Sequence, residues 1–143
     1  MRKRKILVVA AAALLLVLGG CSREAGPAPK RGGQQAGIEA LPVKLDALSA
    51  DQCYLNPATQ VPSGCEKYVT QIDGTGRVAH QQAGTDQQLV AQADALAREV
   101  TAFRSAGCTT VATPGGACTA ALTDIAATVT KLKDLVAQQA TTG

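Results

Sequence analysis

The fold of this chain is decided by residues 86–139, which read DQQLVAQADALAREVTAFRSAGCTTVATPGGACTAALTDIAATVTKLKDLVAQQ. Apolar side chains recur at spacings of 4, 3, 4 and 3 in residues 86–105, and of 3, 4, 3 and 4 in residues 117–139. Such spacings place each set along one side of an α-helix. The two sets are Leu89, Ala93, Leu96, Val100 and Phe103, and Leu122, Ile125, Val129, Leu132 and Val136.

The ends of these two helices also carry signals. Thr85 and Gln88 fit a capping box at the start of the earlier helix, and Gly107 fits its end. Residues 108–118 contain the helix breakers Pro-Gly-Gly and connect the two helices. Because the connection is short, we expect the helices to be antiparallel neighbours.

The preceding part of the chain has the same plan. Four residues repeat their spacing at an offset of 55 and four more at an offset of 53, which is internal repetition at a period of about 54 residues. Two alternative explanations fit this repeat: duplication, or the packing rules that any two helical hairpins share. The matched sets are Leu41, Leu45, Leu48 and Cys53 with Leu96, Val100, Phe103 and Cys108, and Cys65, Val69, Thr70 and Ile72 with Cys118, Leu122, Thr123 and Ile125.

The first two helices have their own boundary signals. Pro42 suits the first turn of the first helix, where its missing N–H is not needed, and Ser63 with Glu66 fits a capping box for the second. The Asp-Gly-Thr-Gly sequence at residues 73–76 then predicts that the second helix ends or kinks. Residues 74–84 are either a loop into the third helix or a hinge or groove that admits a partner.

The N-terminus has the order of an export signal. Residues 1–5 are basic, residues 6–18 are an unbroken apolar run, and Gly19, Gly20 and Cys21 follow. The apolar run is shorter than the roughly 20 residues that span a bilayer, and the arrangement is that of a cleaved signal peptide.

The junction Leu18-Gly19-Gly20-Cys21 resembles the lipobox of bacterial lipoproteins. This resemblance covers residues 1–21 only and implies that residues 1–20 are removed and that Cys21 is acylated, with palmitate among its chains. It further implies an exported protein held to the cell envelope by lipid. In a Gram-negative host the expected site is the periplasmic side of the outer membrane, and otherwise the outer face of the plasma membrane.

The cysteine count agrees with this resemblance. Five cysteines would leave one unpaired in an exported chain, but assigning Cys21 to lipid leaves four, which allow three pairings. Disulfides are the expected state in an oxidising compartment. Since each repeat has two cysteines flanking its connecting loop, we predict the local pairs Cys53–Cys65 and Cys108–Cys118.

Residues 21–37 are predicted to be the lipidated cysteine and a disordered tether, since they are rich in Gly, Pro and polar residues. Residues 38–143 are predicted to form the folded domain. Its fold class is expected to be all-α, an antiparallel four-helix bundle made of two tandem helical hairpins, each with its tip closed by a disulfide.

Charge and composition narrow the function. Four of the 14 basic residues lie at positions 2–5, and the remainder do not outnumber the 11 acidic residues. We therefore expect no nucleic-acid binding, which requires a basic face on the folded part. His80 has no second histidine, and no motif for a metal, a cofactor or a nucleophile is present. We expect a protein that is not an enzyme and that uses no cofactor.

The two connecting loops are the candidate binding surface. Residues 54–64 (the first loop) and residues 109–117 (the second loop) are expected at the end of the bundle that faces away from the membrane. They carry apolar side chains with little core to enter, which suits a binding site; alternatively, Tyr54 and Leu55 fold back over the bundle. The candidate partner-binding residues are Tyr54, Leu55, Val61, Pro62 and Val111.

Three function classes remain. The expected one is a membrane-anchored, non-catalytic protein-binding or inhibitor module of the immunity or exclusion type, whose partner is another envelope protein or an incoming protein. The alternatives are a structural or assembly lipoprotein of an envelope complex, and a carrier of a small apolar ligand between the helices near Gly76.

Overall fold

The computed structural model describes the backbone of residues 33–142 and the side chains of residues 40–141. Within these residues every regular element is helical, so the predicted all-α class is confirmed. The α-helices are α1 (Gly33–Ser49), α2 (Gln52–Leu55), α3 (Glu66–Gln82), α4 (Gln87–Ser105) and α5 (Gly116–Thr142), with 3₁₀ turns at Pro57–Thr59, Pro62–Cys65 and Cys108–Thr110. The predicted signal peptide and Cys21 lie outside the described residues.

One apolar core lies among the four long helices, α1, α3, α4 and α5. Every apolar residue of the two stripes in residues 86–139 is buried, as are all apolar positions of the predicted repeat. The repeat's two polar positions, Thr70 and Thr123, are exposed. The spacing that suggested the repeat therefore corresponds to the buried side of each helix.

Each long helix has two neighbours. α1 contacts α3 and α5, α3 also contacts α4, and α4 also contacts α5. Two polar links reinforce these contacts: Lys133 Nζ lies 3.0 Å from Asp46 Oδ1 between α5 and α1, and Gln139 Nε2 donates to Asp86 Oδ2 over 2.8 Å between α5 and the start of α4.

Two disulfides join the ends of successive helices. Cys53 pairs with Cys65 and Cys108 pairs with Cys118, with Cα–Cα distances of 5.7 and 5.4 Å. These are the local pairs expected from the sequence. All four cysteines are buried, so each disulfide also contributes to the core where one long helix gives way to the next.

The expectation that the second helix ends or kinks at residues 73–76 is wrong, because α3 runs without a break from Glu66 to Gln82. Two helical glycines are unfavourable by about 1 kcal/mol each relative to alanine, but contacts with α4 favour the helix. A Cβ atom at Gly76 would lie 3.1 Å from Leu96 Cδ2, so the glycine permits close approach of the two helices. Thr75 is fully buried beside it and donates to the carbonyl oxygen of Gln71 over 2.8 Å.

Both predicted capping boxes differ from the structure. The N-cap of α4 is Asp86, one residue after Thr85, and its carboxylate accepts from the backbone N–H groups of Gln88 and Leu89. A carboxylate satisfies two of the free N–H groups at the helix start and favours the positive end of the helix dipole. At α3, Ser63 lies inside a 3₁₀ turn, so it does not cap the helix. At the other end of α4, Gly107 has φ +71°, which suits the predicted stop.

The first long helix begins earlier than its sequence signals suggest. α1 starts at Gly33, so residues 33–37, which the sequence analysis placed in the tether, are helical. Pro42 consequently lies in the interior of α1 and not in its first turn. A proline there removes one helical hydrogen bond, but Leu41 and Leu45 on either side of it are buried and hold the helix against the core.

Candidate functional site

The first loop is a compact structure of short helical turns. Asp51 caps α2, since its Oδ1 atom accepts from the backbone N–H of Cys53 over 2.8 Å. Pro57 and Pro62 then begin two successive 3₁₀ turns, as suits a residue whose ring already fixes φ near −65°. The Cys53–Cys65 disulfide closes the segment. The local sequence therefore builds a loop with restricted backbone freedom.

Tyr54 fixes the first loop against α5. It is half-buried against the core, and its hydroxyl lies 2.9 Å from Thr130 Oγ1. The 3₁₀ turn Pro57–Thr59 also contacts α5. Tyr54 thus folds back over the helices, which is the alternative that the sequence left open for it, and Thr130 is the contact that the sequence reasoning missed.

The two loops contact each other. The backbone N–H of Ser63 in the first loop donates to the carbonyl oxygen of Val111 in the second over 3.0 Å. The 3₁₀ turns Pro62–Cys65 and Cys108–Thr110 lie side by side, and the Val111 side chain is half-buried against the core. The two disulfide-closed loops are therefore adjacent.

The predicted contact residues divide into covered and uncovered groups. Pro62 is buried, so its side chain is not accessible to a partner and it leaves the candidate surface. Tyr54 and Val111 are half-buried in the contacts just described. Leu55 and Val61 remain, with 53% and 40% of their surface exposed, and are called here the apolar pair.

Tyr68 is a buried residue of α3 near Tyr54 of the first loop, and the sequence patterns did not single it out. It is 2% exposed, and its hydroxyl has no hydrogen-bond partner among the described residues. Burial raises the pKa of Tyr68, and the nearby Asp51 and Tyr54 raise it further. The residue could have been found from the helical spacing of Cys65, Tyr68 and Ile72, which are all buried.

A cluster of charged residues lies at the contact between α3 and α4. Asp73 Oδ2 accepts from Arg77 Nη1 over 3.1 Å and from Arg104 Nη1 over 3.0 Å. About two turns beyond Asp73 along α3, His80 Nε2 lies 3.3 Å from Asp94 Oδ1. His80 is therefore an exposed residue whose imidazole lies beside a carboxylate on the helix surface.

A cleft of about 170 Å³ lies between these two groups of charges. Its walls are the small or apolar residues of α3 and α4, and its rim is charged. The lining residues are Asp73, Gly76, Arg77, His80, Ala93, Asp94, Leu96 and Ala97. The cleft lies at Gly76, where the sequence analysis left a groove as one alternative.

Glu99 is a half-buried acid in the contact between α4 and α5. Its Oε1 atom accepts from the Thr128 hydroxyl over 2.8 Å, while its Oε2 atom is buried with no hydrogen-bond partner among the described residues. Burial raises the pKa of Glu99, and the hydrogen bond from Thr128 offsets part of this.

Among the residues that the structure describes, no three or more His, Cys, Asp or Glu side chains are grouped so as to hold a metal ion. Within the same part of the chain, no helix has the length and hydropathy needed to cross a membrane.

No family model matches the chain, and comparison with characterised proteins and with solved structures finds no similar one.

Proposed function

We propose that this protein is an exported lipoprotein whose helical domain is a non-catalytic binding module that contacts another protein through the apolar pair. The observation that carries the proposal is the exposure of Leu55 and Val61 on a loop closed by the Cys53–Cys65 disulfide. Exposed apolar side chains on an ordered loop suit a protein-contact surface.

The rigidity of the first loop supports this role. Binding by a flexible loop is opposed by the conformational entropy lost when the loop becomes ordered. In the first loop the disulfide, the Tyr54–Thr130 contact and the Ser63–Val111 hydrogen bond already restrict the backbone. The apolar pair is consequently held in place before a partner arrives.

The same proposal includes a finer description of the fold. The domain is an antiparallel four-helix bundle of two hairpins, α1 with α3 and α4 with α5, each closed by a disulfide near its connection. The cyclic order of neighbours, α1–α3–α4–α5–α1, supports this description. In such a bundle both disulfide loops lie at one end, opposite the turn between α3 and α4.

The anchor of the proposed module is the lipid on Cys21. The support for it is the order of basic residues, apolar run and lipobox-like Leu-Gly-Gly-Cys in residues 1–21. We expect mass spectrometry of the protein from its native envelope to show an acylated Cys21 as the first residue. We expect a Cys21→Ser variant to leave the membrane fraction, and an unacylated Cys21 in the native protein would overturn this part of the proposal.

The partner is proposed to be a resident envelope protein or a protein that enters from outside. The test is crosslinking of the full chain in its native envelope, followed by affinity purification. Leu55→Asp combined with Val61→Asp is expected to abolish recovery of the crosslinked partner, because a carboxylate in an apolar contact is left desolvated.

The matched control is Val43→Asp. Val43 is 69% exposed on α1, so it tests an added carboxylate at an apolar surface position outside the first loop. We expect the control to retain the partner, and we expect all these proteins to unfold at similar temperatures. Retention of the partner by the Leu55/Val61 variant would place the contact surface elsewhere.

A further inference from the structure

We infer that the cleft between α3 and α4 is a binding site for a small monocarboxylate with an apolar body. This inference is independent of the lipid anchor and of the apolar pair, because it uses residues of neither. It gives a chemical class to the groove near Gly76 that the sequence left open.

Small residues of both helices line the cleft. Gly76 on α3 has no side chain, and Ala93 and Ala97 on α4 have only a methyl group each. Leu96, fully buried, also lines the cleft. The resulting space of about 170 Å³ suits a ring or a short alkyl chain, since an apolar cavity of about 150 Å³ accommodates benzene.

Positive charge is in excess at one end of the cleft. Arg77 and Arg104 both donate to Oδ2 of Asp73, so two guanidinium groups are balanced by one carboxylate. Arg77 also lines the cleft and is 68% exposed. A guanidinium group has five N–H donors, and Arg77 uses one of them for Asp73. The remaining donors suit a ligand carboxylate, which guanidinium groups bind with good geometry.

The other end of the cleft limits the ligand to one carboxylate. Asp94 lies there with His80 as its partner at 3.3 Å. A second carboxylate on the ligand would meet the negative charge of Asp94, and like charges at close range repel. The apolar walls equally disfavour inorganic phosphate, whose charge would lose hydration without gaining an apolar contact.

The test uses 3-phenylpropionate as the probe and amide NMR of the full chain in detergent micelles as the readout. We expect shift changes concentrated in residues 73–80 and 93–97, and at least tenfold weaker binding of 3-phenylpropanol, of 3-phenylpropylamine and of phosphate. The factor corresponds to loss of a hydrogen bond to a charged group. Equal binding of the acid, alcohol and amine, or no binding of the acid, would overturn the inference.

Two variants locate the site, each with a matched control on α4. Arg77→Gln removes the guanidinium group, and Ala97→Leu fills the cleft from its exposed side; each is expected to weaken binding of 3-phenylpropionate about tenfold or more. The controls Arg98→Gln and Ala102→Leu change exposed residues of the same types that do not line the cleft. Equal loss of binding in variants and controls would also overturn the inference.

Discussion

Thr75 on α3 and Thr128 on α5 are both buried and lie 53 residues apart, which is also the offset between the matched residues 65–72 and 118–125. Their hydroxyl groups have different partners. Thr75 donates within its own helix to the carbonyl oxygen of Gln71, whereas Thr128 donates across to Glu99 on α4. Both positions thus carry a buried hydroxyl but use it differently, since Thr128 faces the Glu99 carboxylate and Thr75 bonds within its own helix.

This difference predicts unequal effects of removing the two hydroxyls. Thr128→Val leaves both carboxylate oxygens of Glu99 without a hydrogen bond, and we expect the free energy of unfolding to fall by about 1–3 kcal/mol. Thr75→Val removes a bond to a carbonyl within its own helix, so we expect a smaller loss. Urea denaturation of both variants measures the difference, and equal losses would contradict the assigned role of Thr128.

The same carboxyl group predicts a pH dependence of stability. The pKa of Glu99 is raised from 4.5 by burial, so the folded state binds its proton more tightly than the unfolded state does. Protonated Glu99 therefore contributes favourably to the free energy of unfolding below pH 4.5. This contribution is lost as the pH rises through the higher pKa of the folded state. Replacing Glu99 by Gln removes this titration.

We therefore expect Glu99→Gln to gain stability relative to the unmodified protein as pH rises from about 4 to 7. Denaturant unfolding at several pH values measures the trend. Asp134→Asn, at an exposed position on α5, is the control for loss of a carboxylate elsewhere on the same helix. A difference between Glu99→Gln and the unmodified protein that stays constant with pH would show that Glu99 does not titrate abnormally.

Two glycines of α3 form a matched pair. An added Cβ at Gly74 would contact nothing within 4 Å, whereas at Gly76 it would lie 3.1 Å from Leu96 Cδ2. Alanine favours a helix interior over glycine by about 1 kcal/mol, so we expect Gly74→Ala to increase stability by about that amount. We expect Gly76→Ala to gain less or to lose stability, because Leu96 must move. Thermal unfolding of the two variants provides the comparison, and an equal gain would show that Gly76 is not a packing requirement.

These residues also explain how far the sequence could predict the structure. Apolar spacing predicted the buried sides of α4 and α5, because periodic burial is a local property of a helix. Local propensity failed at residues 73–76, where contacts with Leu96 and Arg104 favour a continuous helix. The contacts that hold the first loop could not be predicted from local sequence either, because the partners of Tyr54 and Ser63 lie 76 and 48 residues away.

Opening either disulfide should lower stability by a similar amount, but opening Cys53–Cys65 should weaken partner binding more. Opening the Cys53–Cys65 pair by a double Ser substitution releases a segment of 12 residues and is expected to lower stability by about 3 kcal/mol. Opening Cys108–Cys118, with a separation of 10 residues, is expected to have a similar effect. Partner recovery should fall further in the first variant, which releases the apolar pair. If both variants lose the partner equally at matched stability, the restriction of the first loop is not what matters for binding.

Two tyrosine hydroxyls at the first loop should respond in opposite directions. The Tyr68 hydroxyl is buried without a partner among the described residues, and an unmade buried hydrogen bond is unfavourable by about 1–3 kcal/mol. Tyr68→Phe is therefore expected to maintain or increase stability. Tyr54→Phe removes the contact with Thr130, and a loss of about 0.5–1 kcal/mol is expected.

Urea denaturation of the two phenylalanine variants decides between these expectations, since both replacements keep the aromatic ring. Combining Tyr54→Phe with Thr130→Val should add little to either single change if the two hydroxyls bond each other. Additive losses would show that the pair is not coupled, and a destabilising Tyr68→Phe would show that the buried hydroxyl has a partner. In the first case the first loop would depend on its disulfide and its contact with Val111 to hold Leu55 and Val61 in place.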